Sequence, residues 1–535
     1  MKKSIFLVLY ILLLNGIVCS QVHTEVIRQR TYGGSLADNF IKAVQTSDGG
    51  YLVGVSSVSG ISGDKTVPAK GIHHIWLIKL NNNLTVQWQK SIGGSDRDYL
   101  KDILLLDDGS FLLLATSMSP ISLDKTVENF GLTDYWLIEI DSLGNILQQH
   151  TYGGDQYNDA RKIISINNDY LIAGESNSDS SGVKTEDSRG GHDFWFLLID
   201  DTYQIIYDKT LGGSSNADYF YDVIYDNSLN NLFLVGASSS DISGDITNSP
   251  YGPFGDYLLF ICNASDGQLI SDHRYGGTLG NSAFTIKKLN NSIYIGGTSD
   301  SDSSGVKTED SRGSVDYWVL KLNMDGSIVW DKTIGGNYAD GLFQIETTSD
   351  NQILLIGSSS SDITGEKTEA RIGQQDYWIV SLDTNANILW QKTLGGTLTD
   401  NPKQIIVLGP NHYIVFGDSK SGISGHKIEP CRGEEDVWIL EISTNLSIEN
   451  FSKNNLKIMP NPAAEYFTFS FPEKSQSGIL YIFNPSGSIV HSEIIDNSKN
   501  TIEISHLSNG LYFVSFFDEN GIGYSATLIK QKQSN

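Results

Sequence analysis

The chain has 535 residues and a net charge of −26 at neutral pH. That length holds two or three domains, and the excess of carboxylates repels a phosphate backbone, which excludes nucleic acid as a partner and leaves divalent cations as candidate guests. Three cysteines, Cys19, Cys262 and Cys431, are too few for a disulfide framework.

Residues 1–20 read as a secretory signal. Lys2 and Lys3 open it, residues 5–14 are its apolar core, and Val18 and Ser20 fall at the −3 and −1 positions before Gln21. The apolar run is too short to cross a bilayer, and no later segment is apolar for long enough, so no transmembrane segment is expected in the mature chain. Cys19 admits a lipoprotein reading, against which bulky Val18 stands where a small residue is expected. Cleavage would leave Cys262 and Cys431, in different repeats, as two free thiols.

Residues 26–32 (VIRQRTY) and Gly33-Gly34 introduce a text that recurs about every 60 residues, with Gly-Gly pairs beginning at 33, 93, 153, 212, 276, 335 and 395. The sixth copy shows the whole unit. Gly336 leads through Asp340 to a strand at 342–347, a turn at 349–351 and a second strand at 353–358. A long polar loop (359–375) enters the third strand (377–382). A polar turn (383–387) and a fourth strand (388–394) end at the next Gly-Gly. Tyr, Trp, Ile and Val suit a pleated, half-buried surface, the connections are short, and no 3.6-residue apolar period is sustained. Seven such units predict an all-β fold, a seven-bladed β-propeller over residues 21–452. In the usual blade order the strand after Gly-Gly is innermost and the strand before it outermost. The repeat starts in mid-unit, so VIRQRTY is expected to complete the seventh blade. Residues 444–451 (TNLSIENF) resemble 384–390 (TNANILW) and compete for that place without a Gly-Gly ending.

Two acidic positions recur. The first precedes Tyr-Trp in the third strand, as Asp134, Asp193, Asp256, Asp316, Asp376 and Asp436, with His74 in the first copy. One acid per blade reads as a loop anchor rather than a catalytic group, and the Trp after it as packing between blades. The second follows Gly-Gly, as Asp38, Asp98, Asp159, Asp218, Asp340 and Asp400, with Asn281 in the fifth copy. These are expected around one channel mouth, as turn caps or as a site for a cation or polar ligand. The long loops share a Ser-Asp-x-Ser-Gly-x-Lys-Thr-Glu text, read as Ser/Asp turns. In the fifth copy Asp300, Asp302 and Ser304 have the opening spacing of a calcium loop and Glu309 follows, although Ser311 stands where the closing Glu would be. Calcium is the one cofactor suggested. Arg189, Arg312, Arg371 and Arg432 recur near the loop ends and are expected to pair with loop carboxylates.

No nucleophile elbow, zinc-protease motif, phosphate-binding loop or Cys-x-x-Cys pair occurs. Repetition without a unique polar constellation points to a secreted or cell-surface binding or scaffold protein for an extracellular ligand, a glycan or a protein. The alternative is a carbohydrate-active enzyme with two carboxylates at the channel mouth.

From about residue 453 the period stops. Pro460 and Pro462 appear, then strands at 466–471, 479–484, 489–495, 501–504, 511–517 and 524–529, which predict a small β-sandwich over 453–535. LKIMPNPAAEYFTFSF, LYIFNPSGSIVHSE and TIEISHLSNGLYFVSF, with Leu507 to Tyr512 as Leu-x-x-Gly-x-Tyr, resemble in order the type A carboxy-terminal sorting domain of the type IX secretion system. The resemblance implies transit through the periplasm, engagement of the type IX machinery, and release or attachment at the cell surface. It implies nothing about what the propeller does.

Overall fold

The computed structural model describes residues 23–214, 217–445, 456–470, 478–484, 489–495, 500–518 and 523–531. The signal segment and residues 446–451 lie outside them. The chain divides into a unit spanning Thr24–Thr444 and a second that includes the tail from Asn445.

The first unit is a propeller of seven four-stranded antiparallel sheets. The sixth blade runs outward through Asp340–Thr347, Ile353–Ser359, Asp376–Leu382 and Ile388–Leu394. The seventh is built from both ends of the unit. Asp400–Gly409, His412–Ser419 and Asp436–Asn445 are followed, outermost, by the amino-terminal strand His23–Tyr32.

Burial explains the sequence of each strand. The two middle strands of the sixth blade, ILLIGSS and DYWIVSL, are buried at every residue because blades cover both of their faces. The outermost strand, ILWQKTL, keeps an exposed side. The six recurrent tryptophans are fully buried. Five donate their indole N–H to the outer strand of their own blade, at Gln89, Gln149, Asp208, Asp331 and Gln391, each at 3.1 Å. Trp438 finds the same acceptor in Gln29 of the amino-terminal strand, at 3.0 Å. The tyrosine before tryptophan joins blades. Tyr135 packs on Trp195 at 4.8 Å between ring centres and Tyr317 on Trp378 at 4.9 Å, and each hydroxyl donates to that tryptophan's carbonyl.

The Gly-Gly break is set by close approach. A Cβ on Gly153 would lie 1.7 Å from Asp134 Oδ1, and one on Gly154 2.5 Å from Ser178 Cβ. Three of the recurrent arginines link neighbouring blades: Arg189 meets Asp245 at 3.2 Å, Arg312 meets Glu366 at 2.8 Å, and Arg432 meets Asp64 of the first blade at 3.0 Å. Arg371 pairs with Asp362 of its own loop. Cys262 and Cys431 are free thiols.

The tail is a sandwich. A three-stranded sheet (Lys457–Met459, Tyr466–Ser470, Thr501–Glu503) faces a four-stranded one (Ile489–Ile495, Gly478–Phe483, Gly510–Asp518, Gly523–Lys530). Phe467, Leu480, Ile482, Val514 and Leu528 are buried in its core. The short strand Lys457–Met459 lies before the first strand expected from the sequence. The Asn of the Asn-Pro motif has a mechanical role: Asn461 donates to the Thr527 carbonyl at 2.6 Å and accepts the Ile529 N–H at 2.8 Å, tying the entry loop to the last strand.

Candidate functional site

The two recurrent acidic positions meet at the blade junctions, where the third-strand residue of one blade lies beside the first inner-strand residue of the next. Asn158 Nδ2 reaches Asp134 Oδ1 at 3.0 Å, and Asn281 Nδ2 reaches Asp256 Oδ1 at 3.4 Å. The third-strand carboxylates anchor the entering loop, as when Asp193 accepts the Arg189 N–H and Asp316 the Arg312 N–H, both at 2.5 Å. The inner-strand set caps the Gly-Gly turns: Asp38, Asp98, Asp218, Asp340 and Asp400 are fully buried and each accepts the N–H of the second glycine. Asp98 accepts the Gly94 N–H at 2.6 Å and the Ser117 and Ser119 hydroxyls at 2.5 and 2.9 Å. Asp159 is not a member of this set. A spacing of four from the second glycine, kept in every blade but the fourth, where Asp218 is five from Gly213, selects Asn158, and Asp159, one residue on, turns to Lys101 at 2.8 Å and Arg161 at 3.5 Å.

The lysine of the long-loop text is buried, not solvated. Lys65, Lys125, Lys184, Lys307, Lys367 and Lys427 are each at most 2% exposed, which no polar turn predicts. In four blades the ammonium lies over the recurrent tryptophan, from 5.0 Å for Lys367 to 5.6 Å for Lys65 and Lys125. Carbonyls and hydroxyls complete its shell, such as Val127 O for Lys125 at 2.8 Å and Thr393 Oγ1 for Lys367 at 2.7 Å. The fourth blade lacks both partners, with Ile246 for the lysine and Leu258 for the tryptophan. There Arg274 enters from the outer strand and reaches the Ser238 hydroxyl at 3.1 Å and the Ser240 carbonyl at 2.7 Å. The signal in the sequence is that joint exchange: an apolar residue in a lysine's register marks a buried place.

The calcium residues are not gathered around one point. Asp302 is exposed. The Ser304 hydroxyl donates to the Asp302 carbonyl at 2.9 Å and accepts the Thr278 N–H at 3.0 Å. Glu309 is held by Lys332 at 2.8 Å, Arg312 at 2.9 Å and the Thr333 N–H at 3.2 Å. Glu186 and Glu369 make the matching lysine and N–H contacts in blades three and six. Asp300 Oδ1 is buried without a hydrogen-bond partner. Among the described residues no three His, Cys, Asp or Glu cluster as a metal would require.

The blades differ most in the channel. Every inner strand has a β-bulge at the same place, from Phe40/Lys42 in the first blade to Pro402/Gln404 in the seventh. The bulge turns two successive residues per blade onto a central cavity of about 790 Å³. The first of each pair is Ile41, Lys101, Arg161, Tyr221, Phe284, Phe343 and Lys403 in turn. Three consecutive blades thus present aromatic rings, and the arc opposite presents cations. Tyr221 and Phe284 meet edge to face at 4.9 Å, and the Arg161 guanidinium lies 5.6 Å from the Tyr221 ring.

The second residue of each pair joins blades. Asp102 accepts the Ile163 N–H, Asp222 the Ile286 N–H, Thr285 the Ile345 N–H, Gln344 the Ile405 N–H and Gln404 the Ala43 N–H, at 2.8 to 3.2 Å. Lys42 and Lys162 cannot accept and pair instead with Asp102 at 3.5 Å and Asp222 at 3.0 Å. Glu346, the remaining carboxylate in the cavity wall, is paired with Lys287 at 2.7 Å. Asp159 and Glu175 share Arg161, Glu175 at 2.9 Å. Burial opposes ionisation of Asp159, but Lys101 and Arg161 outweigh it and hold the carboxyl below its ordinary value. Burial raises Glu175 against the pull of Arg161. On the matching strand of blade seven, burial raises Asp418 to about 6 against Lys403. None of the cavity-lining bulge residues stands out in the sequence, because the bulge position varies in kind from blade to blade.

Residues 457–531 match the family model of the secretion system C-terminal sorting domain. No curated protein matches the chain. Among solved structures, the Neurospora crassa Pan2 WD40 domain is similar at 9% identity and a TM-score of 0.42, over 78% of this chain and 95% of that one. Drosophila Plexin A in complex with Semaphorin 1b gives 10% identity and 0.39, over 78% and 88%. A protein of unknown function from Dyadobacter fermentans gives 9% and 0.39, over 79% and 99%. At these scores the likenesses add nothing to the sheet order. The matched tail implies engagement of the type IX secretion machinery and a secreted or surface-attached product. No helix among the described residues is long and apolar enough to cross a membrane.

Proposed function

We propose that the chain is an exported, non-catalytic binding protein whose propeller channel takes an extracellular glycan. One observation carries this reading. The buried junction and lysine positions are nearly constant around the ring, whereas the bulge position changes from blade to blade and collects Tyr221, Phe284 and Phe343 on one side of a single cavity. Constancy serves the scaffold; the varied wall is where selectivity resides. Sugar rings have an apolar face that stacks on aromatic side chains and polar edges that Lys101, Arg161 and Lys403 would meet. The carboxylates in the wall are engaged by lysines and backbone N–H groups, a role in joining blades rather than in proton transfer.

A glycan array probed with the purified propeller tests it. Stacking contacts contribute about 0.5–1.5 kcal/mol each, so changing Tyr221, Phe284 and Phe343 together to Ala should weaken binding at least roughly tenfold with the fold retained. An array without hits, or unchanged binding by the triple variant, would sink the proposal. The second reading, glycoside cleavage, rests on Asp159 and Glu175, whose ionisation is pushed in opposite directions around one arginine. Turnover of a bound glycan that Asp159→Asn abolishes without loss of binding would replace the binding reading with it. The delivery half is tested separately. A chain lacking residues 456–535 should accumulate in the periplasm on cell fractionation, and surface display of that truncation would refute it.

A further inference from the structure

The junction belt carries unbalanced charge. Each blade contributes one buried cation, six lysines and Arg274, and together the junctions hold eleven aspartates of zero exposure. At three junctions one partner is neutral: Asn158 beside Asp134, Asn281 beside Asp256, and His74 beside Asp98, where burial and the adjacent Lys65 hold the imidazole uncharged. At the other four both partners are aspartates: Asp436 with Asp38, Asp193 with Asp218, Asp316 with Asp340 and Asp376 with Asp400. Eleven carboxylates against seven cations leave four charges uncompensated, one per acid–acid junction. Asp208, Asp272 and Asp331 of the outer strands, beside the cations of blades three to five, only enlarge the excess.

The geometry locates the deficit. At the Asn junctions the amide supplies the proton that the facing Oδ1 of Asp134 or Asp256 accepts. At the acid–acid junctions Asp193, Asp316 and Asp436 present the same Oδ1 buried and without any donor. The point occupied by a Cβ added to Gly212 lies 2.0 Å from Asp193 Oδ1 and 2.9 Å from Asp218 Oδ2; at Gly153 the corresponding neighbours are Asp134 Oδ1 at 1.7 Å and Asn158 Nδ2 at 3.0 Å. Asp218 Oδ2, which accepts the Gly213 N–H at 2.6 Å, thus takes the place of the Asn158 amide nitrogen and offers no hydrogen of its own. Asp193 Oδ1 and Asp218 Oδ1 are left buried without a donor.

We propose that the Asp193–Asp218 and Asp316–Asp340 junctions, where both partners bury an Oδ1 without a donor, each hold one proton shared between the two carboxyls in the folded protein, doing the work of the Asn amide at its sister junctions. The belt is then a pH-sensitive seam between blades. Burial first, with Asp193 adding to it, raises Asp218 to about 6, and burial with Asp340 raises Asp316 to about 6. The charged groups around Asp193 and Asp218 are Lys184, with Arg189, Glu186 and Asp208 about it, on the blade-three side, and Arg274, with Asp256, Asp272 and Asp241, on the blade-four side; His192 precedes Asp193 in the chain.

The sign follows from the raised proton affinity. An unfolded aspartate titrates near ~3.9. Stability from the shared proton is complete below that pH and is lost as pH rises through the folded value of about 6. Asp218→Asn reproduces the Asn158 arrangement and removes one such proton. Its melting temperature relative to the unmutated chain should therefore climb between about pH 4 and pH 6 and level off above that, and Asp340→Asn should behave alike. At about pH 6 isolated carboxyls are ionised, so a protonated-carboxyl infrared band should be present in the folded chain and smaller in either variant. A melting difference independent of pH, or the absence of that band from the unmutated protein, would overturn the proposal. Failure of one variant to fold leaves the other variant and the band to decide.

Discussion

A chain lacking residues 21–32 should melt far below the full-length protein. The strand His23–Tyr32 is the fourth of the seventh blade, and its side chains are stitched into two blades. Gln29 accepts the Trp438 indole N–H at 3.0 Å, donates to the His426 carbonyl at 2.7 Å and accepts the Ile428 N–H at 3.2 Å. Arg28 pairs with Glu441, Glu429 meets Arg30 and accepts the Thr31 N–H, and the Tyr32 hydroxyl donates to the Leu84 carbonyl in the first blade. Deletion strands a buried indole N–H and bares Asp436–Asn445 as an open edge. Net hydrogen bonds contribute about 1 kcal/mol each, so the ladder and these contacts together rival the ~5–15 kcal/mol margin of a domain. Thermal melts of the two chains decide it. Equal melting temperatures would mean that another segment, such as 444–451, completes the blade.

The fold is legible because its repeated letters are those that cannot change. The first glycine of six breaks yields to a carboxylate, that of the other, Gly93, to the Lys70 and His74 side chains, and the second glycine of each to a serine, so both recur. The tryptophan requires a partner on the outer strand, which is why VIRQRTY, with Gln29 in register, reads as a displaced fourth strand. Other features are hidden for physical reasons. A lysine among Ser, Gly, Thr and Glu has the composition of a solvated turn. Its burial depends on a ring, carbonyls and carboxylates contributed by other strands. Asp159 is misleading in the opposite way, an acid beside the register position whose true occupant, Asn158, does the same work with an amide. The channel wall is the least legible part. Its bulge places apolar, aromatic and cationic residues at one structural position, and only the closed ring shows that Tyr221, Phe284 and Phe343 are neighbours.

The fourth blade supplies the sharpest test of the buried belt, because it already carries a compensated change. Lys over Trp is the pattern in four blades; here Leu258 offers no ring, Ile246 fills the lysine's place, and Arg274 replaces the Ser or Thr found opposite the tryptophan in the other blades with paired outer strands. Arg274 and Asp256 are 3.8 Å apart, and both side chains are wholly inaccessible. Arg274→Thr therefore leaves Asp256 and Asp218 without their cation, at a cost of about 3–5 kcal/mol typical of a buried pair broken on one side. Ile246→Lys alone crowds a second cation into the same pocket and should also destabilise. Combined, the two changes recreate the cation placement of the other six blades and should recover most of the loss, short of full recovery because Leu258 cannot supply the ring. Denaturant melts of the four proteins give the coupling directly, expected to be at least about 2 kcal/mol in the favourable sense. Additive losses would show that Arg274 does not stand in for the missing lysine, and that each blade does not require its own buried cation.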